Sequence, residues 1–431
     1  MGLGLRALNR FAGWSWVDQL KLRKPSERVV YLASRGGFRT ATAASRAFAG
    51  APKQGQPARL ARGRGADLFD LTPSDEQQML REAVQNFAGG ELRKAAAAAD
   101  AACAAPPELL QGAADLGITL MGVPEALGGA GNERSAMTNV LVAEAMAHGD
   151  MGLALACLAP SAVSTALVLW GDEAQQAKYL PEFVGGKVPA AALALLEPRP
   201  LFDPFVLQTK AKRSDGGYVL SGVKSMVPRA GEAELFIVAA EIEGQGPGLF
   251  VIESSTAGLS VEAEPAMGLR AAATGRLILN GVKLPAAALL GDGKADIYAE
   301  CVNLSRIGWC ALAVGVGQAT LDYVIPYVNE RVAFGEPISH RQSVAFAIAN
   351  IGIELEGMRL LTYRAASRAE RGRSFTQETA LARRLCADKG MQIGNDGVQL
   401  LGGHGYVKEH PVERWYRDLR AAGFMEGVLL V

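Results

Sequence analysis

A chain of 431 residues is long enough for about two to three domains and a large core. Lys plus Arg and Asp plus Glu both total 44, so the formal net charge is zero, without the basic excess that a nucleic-acid binder needs to neutralise phosphates. The five cysteines (Cys103, Cys157, Cys301, Cys310, Cys386) form no Cys-x-x-Cys pair and the four histidines (His148, His340, His404, His410) do not cluster, which argues against a metal centre or a disulfide framework and fits a reducing compartment.

Residues 1–66 differ in style from the rest. From Arg28 to Ala66 there are many Arg and Lys residues and no Asp or Glu, as in an Arg- and Ser-rich targeting leader, which would imply the mitochondrial matrix. The earlier Asp18 and Glu27 and the linker-like stretch 50–65 suit the other reading: an amphipathic arm (Leu3, Leu5, Leu8, Phe11, Trp14, Trp16, Leu20) that contacts a partner subunit or a membrane surface peripherally. Without a leader the expected location is cytoplasmic.

A helical region is expected over 67–188. Thr72 is a candidate N-cap with Pro73 as first helical residue and acids in the first turn. The glycine-rich 123–131 loop lacks a Lys and a preceding strand, so it reads as an interhelical turn rather than a phosphate cradle. Residues 151–170 carry no formal charge and are long enough to span a bilayer. Pro160, Ser161, Ser164 and Thr165 inside, with acidic Asp150 and Asp172 at the flanks, favour instead two buried helices broken at Pro160.

Over 189–292 the period shortens, and strands are expected at 206–212, 218–227, 235–241, 249–253 and 276–283. Ser214-Asp-Gly-Gly217 and Asn280-Gly281 supply hairpin chemistry, which points to a small antiparallel sheet. Over 293–431 apolar residues again recur at three and four, giving helices at 297–334, 344–370 and 377–401. The fold class is α+β: a helical N-terminal domain, a middle antiparallel β domain and a C-terminal helical bundle.

The tail beyond Gly402-Gly403 sets one carboxylate, Glu426, in an almost uncharged segment. Among apolar neighbours the charged form of a carboxylate loses solvation, which makes it a candidate proton acceptor. Spacing alone favours a surface glutamate near a terminus.

Four segments in order change that balance: 329–335 (Asn-Glu-Arg-Val-Ala-Phe-Gly), 340–342 (His-Arg-Gln), 399–403 (Gln-Leu-Leu-Gly-Gly) and 424–427 (Phe-Met-Glu-Gly). Through them the chain resembles the acyl-CoA dehydrogenase family over about residues 70–431. The resemblance implies an α–β–α flavoprotein, FAD as cofactor, an acyl-CoA substrate, a homodimer or homotetramer, and an electron-transferring flavoprotein as electron acceptor. It implies that Arg331, Phe334, Gln342, Gln399, Gly402 and Gly403 contact FAD, with Arg331 reaching its pyrophosphate across a subunit interface; a guanidinium fork suits phosphate oxygens. Arg306 looks like the arginine of the helix that lines the CoA channel. Ser305 stands where some branches carry their base and cannot act as one. Glu426 matches the catalytic base, which removes the α proton of the thioester while hydride passes to the flavin.

The chain also departs from the family pattern. The family's Thr-Glu-Pro-Gly-Ala-Gly-Ser-Asp loop reads Leu-Glu-Pro-Arg-Pro-Leu-Phe-Asp over 196–203, so Leu196 replaces a flavin-bonding threonine. Pro228 stands where the family has a threonine beside flavin N5, and Val428 follows Gly427 in place of threonine. The chain stops at Val431, before the family's final helix would be complete. These departures keep open an alternative: a non-redox acyl-CoA-binding or scaffold paralogue that has lost flavin chemistry.

Overall fold

The computed structural model describes residues 73–129 and 135–429. The leader or arm expected over 1–66 lies outside the described residues.

The N-terminal helices are α1 (Asp75–Phe87), α2 (Arg93–Ala102), α3 (Pro107–Asp115), α4 (Ala136–Gly149), α5 (Met151–Trp170) and α6 (Glu173–Phe183), with a π-helical turn (Ala88–Leu92) joining α1 to α2. The cap of α1 is Ser74, not Thr72. Ser74 Oγ accepts the Gln77 N–H at 3.2 Å and Gln77 Oε1 accepts the Ser74 N–H at 3.0 Å. That reciprocal box needs Gln or Glu three residues after the cap, and Thr72 would offer Asp75. Helix α5 is also continuous rather than broken at Pro160. An interior proline costs about 3 kcal/mol; burial of Met151, Leu153 and Ala156 before it and Val163 and Leu167 after it outweighs that.

The middle region is a seven-stranded sheet: β1 (Ala191–Ala194), β2 (Lys210–Ser214), β3 (Gly217–Val227), β4 (Leu235–Ile242), β5 (Gly246–Glu253), β6 (Leu259–Ala263) and β7 (Gly275–Pro285). The order is β1-β4-β2-β3-β7-β6, with β5 also on β4. The expected antiparallel sheet carries two parallel pairings, of β1 and β2 with β4. Asp215 and Gly216 close the β2–β3 hairpin, with Gly216 at φ 83°. Asn280-Gly281, in contrast, is no turn. It lies inside β7, where the pairing steps from Leu220↔Val282 to Gly222↔Leu279, and Gly281 at φ 65° absorbs the extra residue as a bulge. Strand β2 starts at Lys210 rather than 206 because the Gln208 and Thr209 N–H groups are committed to the Glu197 carboxylate.

The C-terminal region holds α7 (Ala295–Glu330), a two-residue hairpin β8 (Val332–Ala333) and β9 (Glu336–Pro337), α8 (Gln342–Glu370), α9 (Thr376–Leu401) and α10 (Val412–Leu419). The helix expected to reach 334 ends at Glu330. Helix α7 runs through the interior: Ala311, Ala313, Val314 and Val316 are fully buried. Its Gly315 lets α4 approach closely, since a Cβ there would lie 2.2 Å from the Glu144 carbonyl oxygen. Helices α5 and α7 are long and apolar enough to cross a membrane, yet 61% of each apolar window is buried inside the fold, so both serve here as core helices. Two ion pairs with little exposure anchor α10 to the N-terminal helices: Arg414 Nε to Asp150 Oδ2 at 2.8 Å and Arg417 Nη1 to Asp100 Oδ1 at 3.0 Å. They fix the stem from which the chain leads to Glu426.

Candidate active site

After α10 a short 3₁₀ turn (Arg420–Gly423) delivers Met425, Glu426 and Gly427 to the side of α7. Two guanidiniums hold this segment by its carbonyls. Arg306 of α7 donates to the Glu426 carbonyl oxygen from Nε at 3.2 Å and from Nη2 at 2.9 Å. Arg383 of α9 donates to the Met425 carbonyl at 2.9 Å and also to that of Gly427. Burial lowers both guanidiniums, Arg383 to about 10, and the Glu426 charge opposes the shift in each. Glu426 itself sits in the left-handed region at φ 57°, where a non-glycine residue persists only if its surroundings hold it. Gly427 follows at φ 103°; a Cβ there would meet Pro204 Cδ at 2.6 Å and the Phe202 carbonyl oxygen at 3.1 Å.

The Glu426 side chain points inward and the residue is 6% exposed. Its Oε1 accepts hydrogen bonds from Ser305 Oγ at 2.8 Å and Trp309 Nε1 at 3.1 Å. Its Oε2 has no partner among the described residues. The carboxylate borders a cavity of about 230 Å³ whose wall is formed by Leu155, Leu158, Ala159 and Ala162 of α5, Leu304, Gly308 and Leu312 of α7, and Leu195, Leu196, Met226 and Pro228 of the sheet region. Among the described residues on that wall only Glu426 and Cys301 titrate, and burial raises the Cys301 thiol far above its ordinary value. The carboxylate is therefore the cavity's available base.

Behind Leu196 lies a fully buried ion pair, Lys224 Nζ to Glu197 Oε1 at 3.0 Å. Lys224 also donates to the Leu195 carbonyl at 3.1 Å. Burial pulls Lys224 down to about 8 although Glu197 opposes it. Burial raises Glu197, but Lys224 and the N–H groups of Gln208 and Thr209 outweigh that and leave it below the ordinary carboxylate value. Nearby, Met226 (φ 53°) and Arg229 (φ 49°) are left-handed. The Met226 N–H is tied to Glu264 Oε2 at 2.7 Å and the Arg229 N–H to the Ala272 carbonyl at 2.8 Å.

A second cleft, of about 630 Å³, opens where α7 ends. Arg331, Phe334, Gln399, Gly402 and Gly403 all line it, so five of the expected cofactor residues meet there. Gln342 begins α8 between Arg341 and Ser343, which line the cleft, and is not itself on its wall. The Arg331 guanidinium has no ion-pair partner among the described residues, and Phe334 is 96% exposed at φ 56°. An added Cβ at Gly402 or Gly403 would meet nothing within 4 Å, so this backbone is open to a ligand. A guanidinium, a carboxamide and open backbone form a donor set that fits a phosphate-bearing group. Leu196, Met226 and Pro228 give the first cavity an apolar surface, and none of the three carries a side-chain hydroxyl.

Of the two residues expected at the substrate, Ser305 is on the cavity wall and Arg306 is not; its guanidinium is occupied by the Glu426 carbonyl. Sequence reasoning missed Trp309, Arg383 and the Glu197–Lys224 pair. For Trp309 a signal existed: it follows Ser305 by four positions on α7, the same helix face.

Comparisons with known proteins agree with this fold. The family models for the N-terminal, middle and C-terminal domains of acyl-CoA dehydrogenase match residues 74–187, 192–282 and 292–429. The chain is 33% identical over 364 residues to the short/branched chain specific acyl-CoA dehydrogenase of Rattus norvegicus, covering 83% of each chain. Among solved structures it is similar to butyryl-CoA dehydrogenase from Megasphaera elsdenii, with a TM-score of 0.78 and 31% identity over 84% of this chain and 97% of that one. It is also similar to PigA solved with FAD and proline, with a TM-score of 0.77 and 27% identity over 84% of this chain and 96% of that one.

Proposed function

Since the chain belongs to the acyl-CoA dehydrogenase family, we propose that it dehydrogenates an acyl-CoA thioester across its Cα–Cβ bond with FAD as cofactor, in fatty-acid or related acyl oxidation. The observation that carries this reading is Glu426, a buried carboxylate on the wall of an apolar cavity, with one oxygen tethered and the other without a partner among the described residues. There Oε2 takes the α proton of the thioester, and the surrounding apolar wall keeps water from competing for it. Bound FAD supplies the acceptor for the β hydrogen as hydride. Leu196, Met226 and Pro228 would line its ring, and Arg331, Gln399 and the Gly402–Gly403 backbone would hold the phosphate-bearing portion of the FAD seated in a second copy of the chain. An electron-transferring flavoprotein is the proposed acceptor of the electrons.

The reading includes a homodimer or homotetramer. The apolar stripe of Phe346, Ile353 and Leu360 on α8, 61%, 70% and 44% exposed at seven-residue spacing, supports a self-association surface. The five free cysteines accord with a reducing compartment: the cytoplasm, or the mitochondrial matrix if residues 1–66 are a leader.

The test is the visible spectrum of the purified protein. A yellow protein that bleaches anaerobically with a member of an acyl-CoA panel is expected, and Glu426→Gln should bleach about a thousandfold more slowly. A variant that bleaches at the parent rate removes Glu426 from the role. A colourless protein that still binds acyl-CoA would identify the non-redox alternative that Leu196 and Pro228 motivate.

A further inference from the structure

Ser305 and Trp309 stand one helical turn apart on α7, and their donors converge on a single atom, Glu426 Oε1. The terminal torsion of a glutamate is broad and roughly two-fold, so an untethered carboxylate exchanges its two oxygens freely. Two donors on one oxygen remove that freedom and decide which oxygen is left without a partner. The two donors differ in kind. A serine hydroxyl rotates and can equally accept, whereas an indole N–H only donates and its direction follows the ring. Trp309 is 6% exposed and its ring also forms part of the cavity wall, so packing sets that direction.

We propose that Trp309 is a positioning residue for proton transfer: its indole N–H, acting with Ser305, locks Glu426 Oε1 and thereby presents Oε2 to the substrate. This rests on Glu426 being the α-proton acceptor. The other groups that feel the Glu426 charge are Tyr298, Cys301 and Arg306 on α7, Arg383 on α9 and Lys224 on β3. Arg306 and Arg383 engage backbone carbonyls, Lys224 engages Glu197 and Leu195, and Tyr298 engages the Pro204 carbonyl. A change at position 309 therefore removes a donor from Oε1 without altering those bonds.

Trp309→Phe keeps an aromatic ring and deletes the N–H. It should lower kcat about tenfold with KM within twofold of the parent. A kcat within twofold of the parent, or a fall in kcat matched by an equal rise in KM, overturns the proposal, provided that Glu426→Gln, measured alongside, is slow. If Glu426→Gln is as fast as the parent, the base assignment itself fails. Should Trp309→Phe not fold, the indole N–H resonances of the ¹⁵N-tryptophan-labelled parent carry the same question. One of the signals from the five tryptophans should shift upfield on Glu426→Gln, and a spectrum with no such shift overturns the proposal.

Discussion

Lys224→Met removes the ammonium from the pair behind the cavity wall, whose side chains are 0% and 2% exposed. Glu197 would then remain buried with the Gln208 and Thr209 N–H groups still donating to it at 2.7 and 2.8 Å. Removing one partner of a buried pair costs about 3–5 kcal/mol. The two retained donors place this case at the low end, about 3 kcal/mol. An independent ceiling agrees. Protonating a carboxyl of ordinary value 4.5 at pH 7 costs about 3.4 kcal/mol, so the stranded charge cannot cost more than that. The ceiling falls to about 0.7 kcal/mol at pH 5. The sign follows from linkage. In the parent, Glu197 lies below its ordinary value and contributes stability above pH 4.5 that is lost as pH falls. In the variant it is raised, and contributes stability below pH 4.5 that is lost as pH rises. The deficit should therefore widen from pH 5 to pH 7, below the pH of about 8 at which Lys224 of the parent is half deprotonated. Urea unfolding at both pH values, with calorimetry, measures it. A deficit of about 3 kcal/mol at pH 7, a Tm roughly 5 °C lower, and partial recovery in Glu197→Gln/Lys224→Met are expected. A deficit under about 1 kcal/mol at pH 7, or equal deficits at both pH values, refutes the reasoning.

Gly427→Ala should cost at least about tenfold in kcat and lower the melting temperature, since the added Cβ at φ 103° is strained and pushes the base-bearing turn off Pro204 and Phe202. Parent-level turnover would show that the turn tolerates displacement. Burial, aided by Asp150, raises the Asp418 carboxyl to about 8. A raised group contributes stability that is whole below its unfolded value near 3.8 and lost as pH rises through 8. Asp418→Asn, which can still accept the Leu269 N–H, should thus gain on the parent between pH 5 and pH 8; a melting difference that is flat across that range contradicts the assignment. The Glu426→Gln and Trp309→Phe outcomes above complete the set.

The helical and sheet regions were legible because their periods are strong and because Ser214-Asp-Gly-Gly217 marks its hairpin. Strand β1 escaped notice because its Ala-Ala-Leu-Ala has no β-branched residue, and its place is set by pairing with β4 some forty positions later. Pro160 misled because a local penalty was weighed without the burial that opposes it. At the site, Glu426 was visible through its own motif. Its supports were not, since Arg383 and Trp309 stand 42 and 117 positions before the Met425 carbonyl and the Glu426 carboxylate that they hold. Glu197 and Lys224 likewise read as surface charges until the sheet closes over them.

Helix α7 carries Ser305, Arg306 and Trp309 against the carboxylate and hands the chain to Arg331 at the second cleft. From Arg306 to Arg331 an α-helix advances roughly 38 Å, and each residue turns it by about 100°. Losing or gaining one residue between them would swing either the Glu426 clamp or Arg331 a quarter-turn out of place. This stretch can exchange one apolar residue for another, but its length is fixed by geometry: a residue count serves as the gauge block between two chemistries.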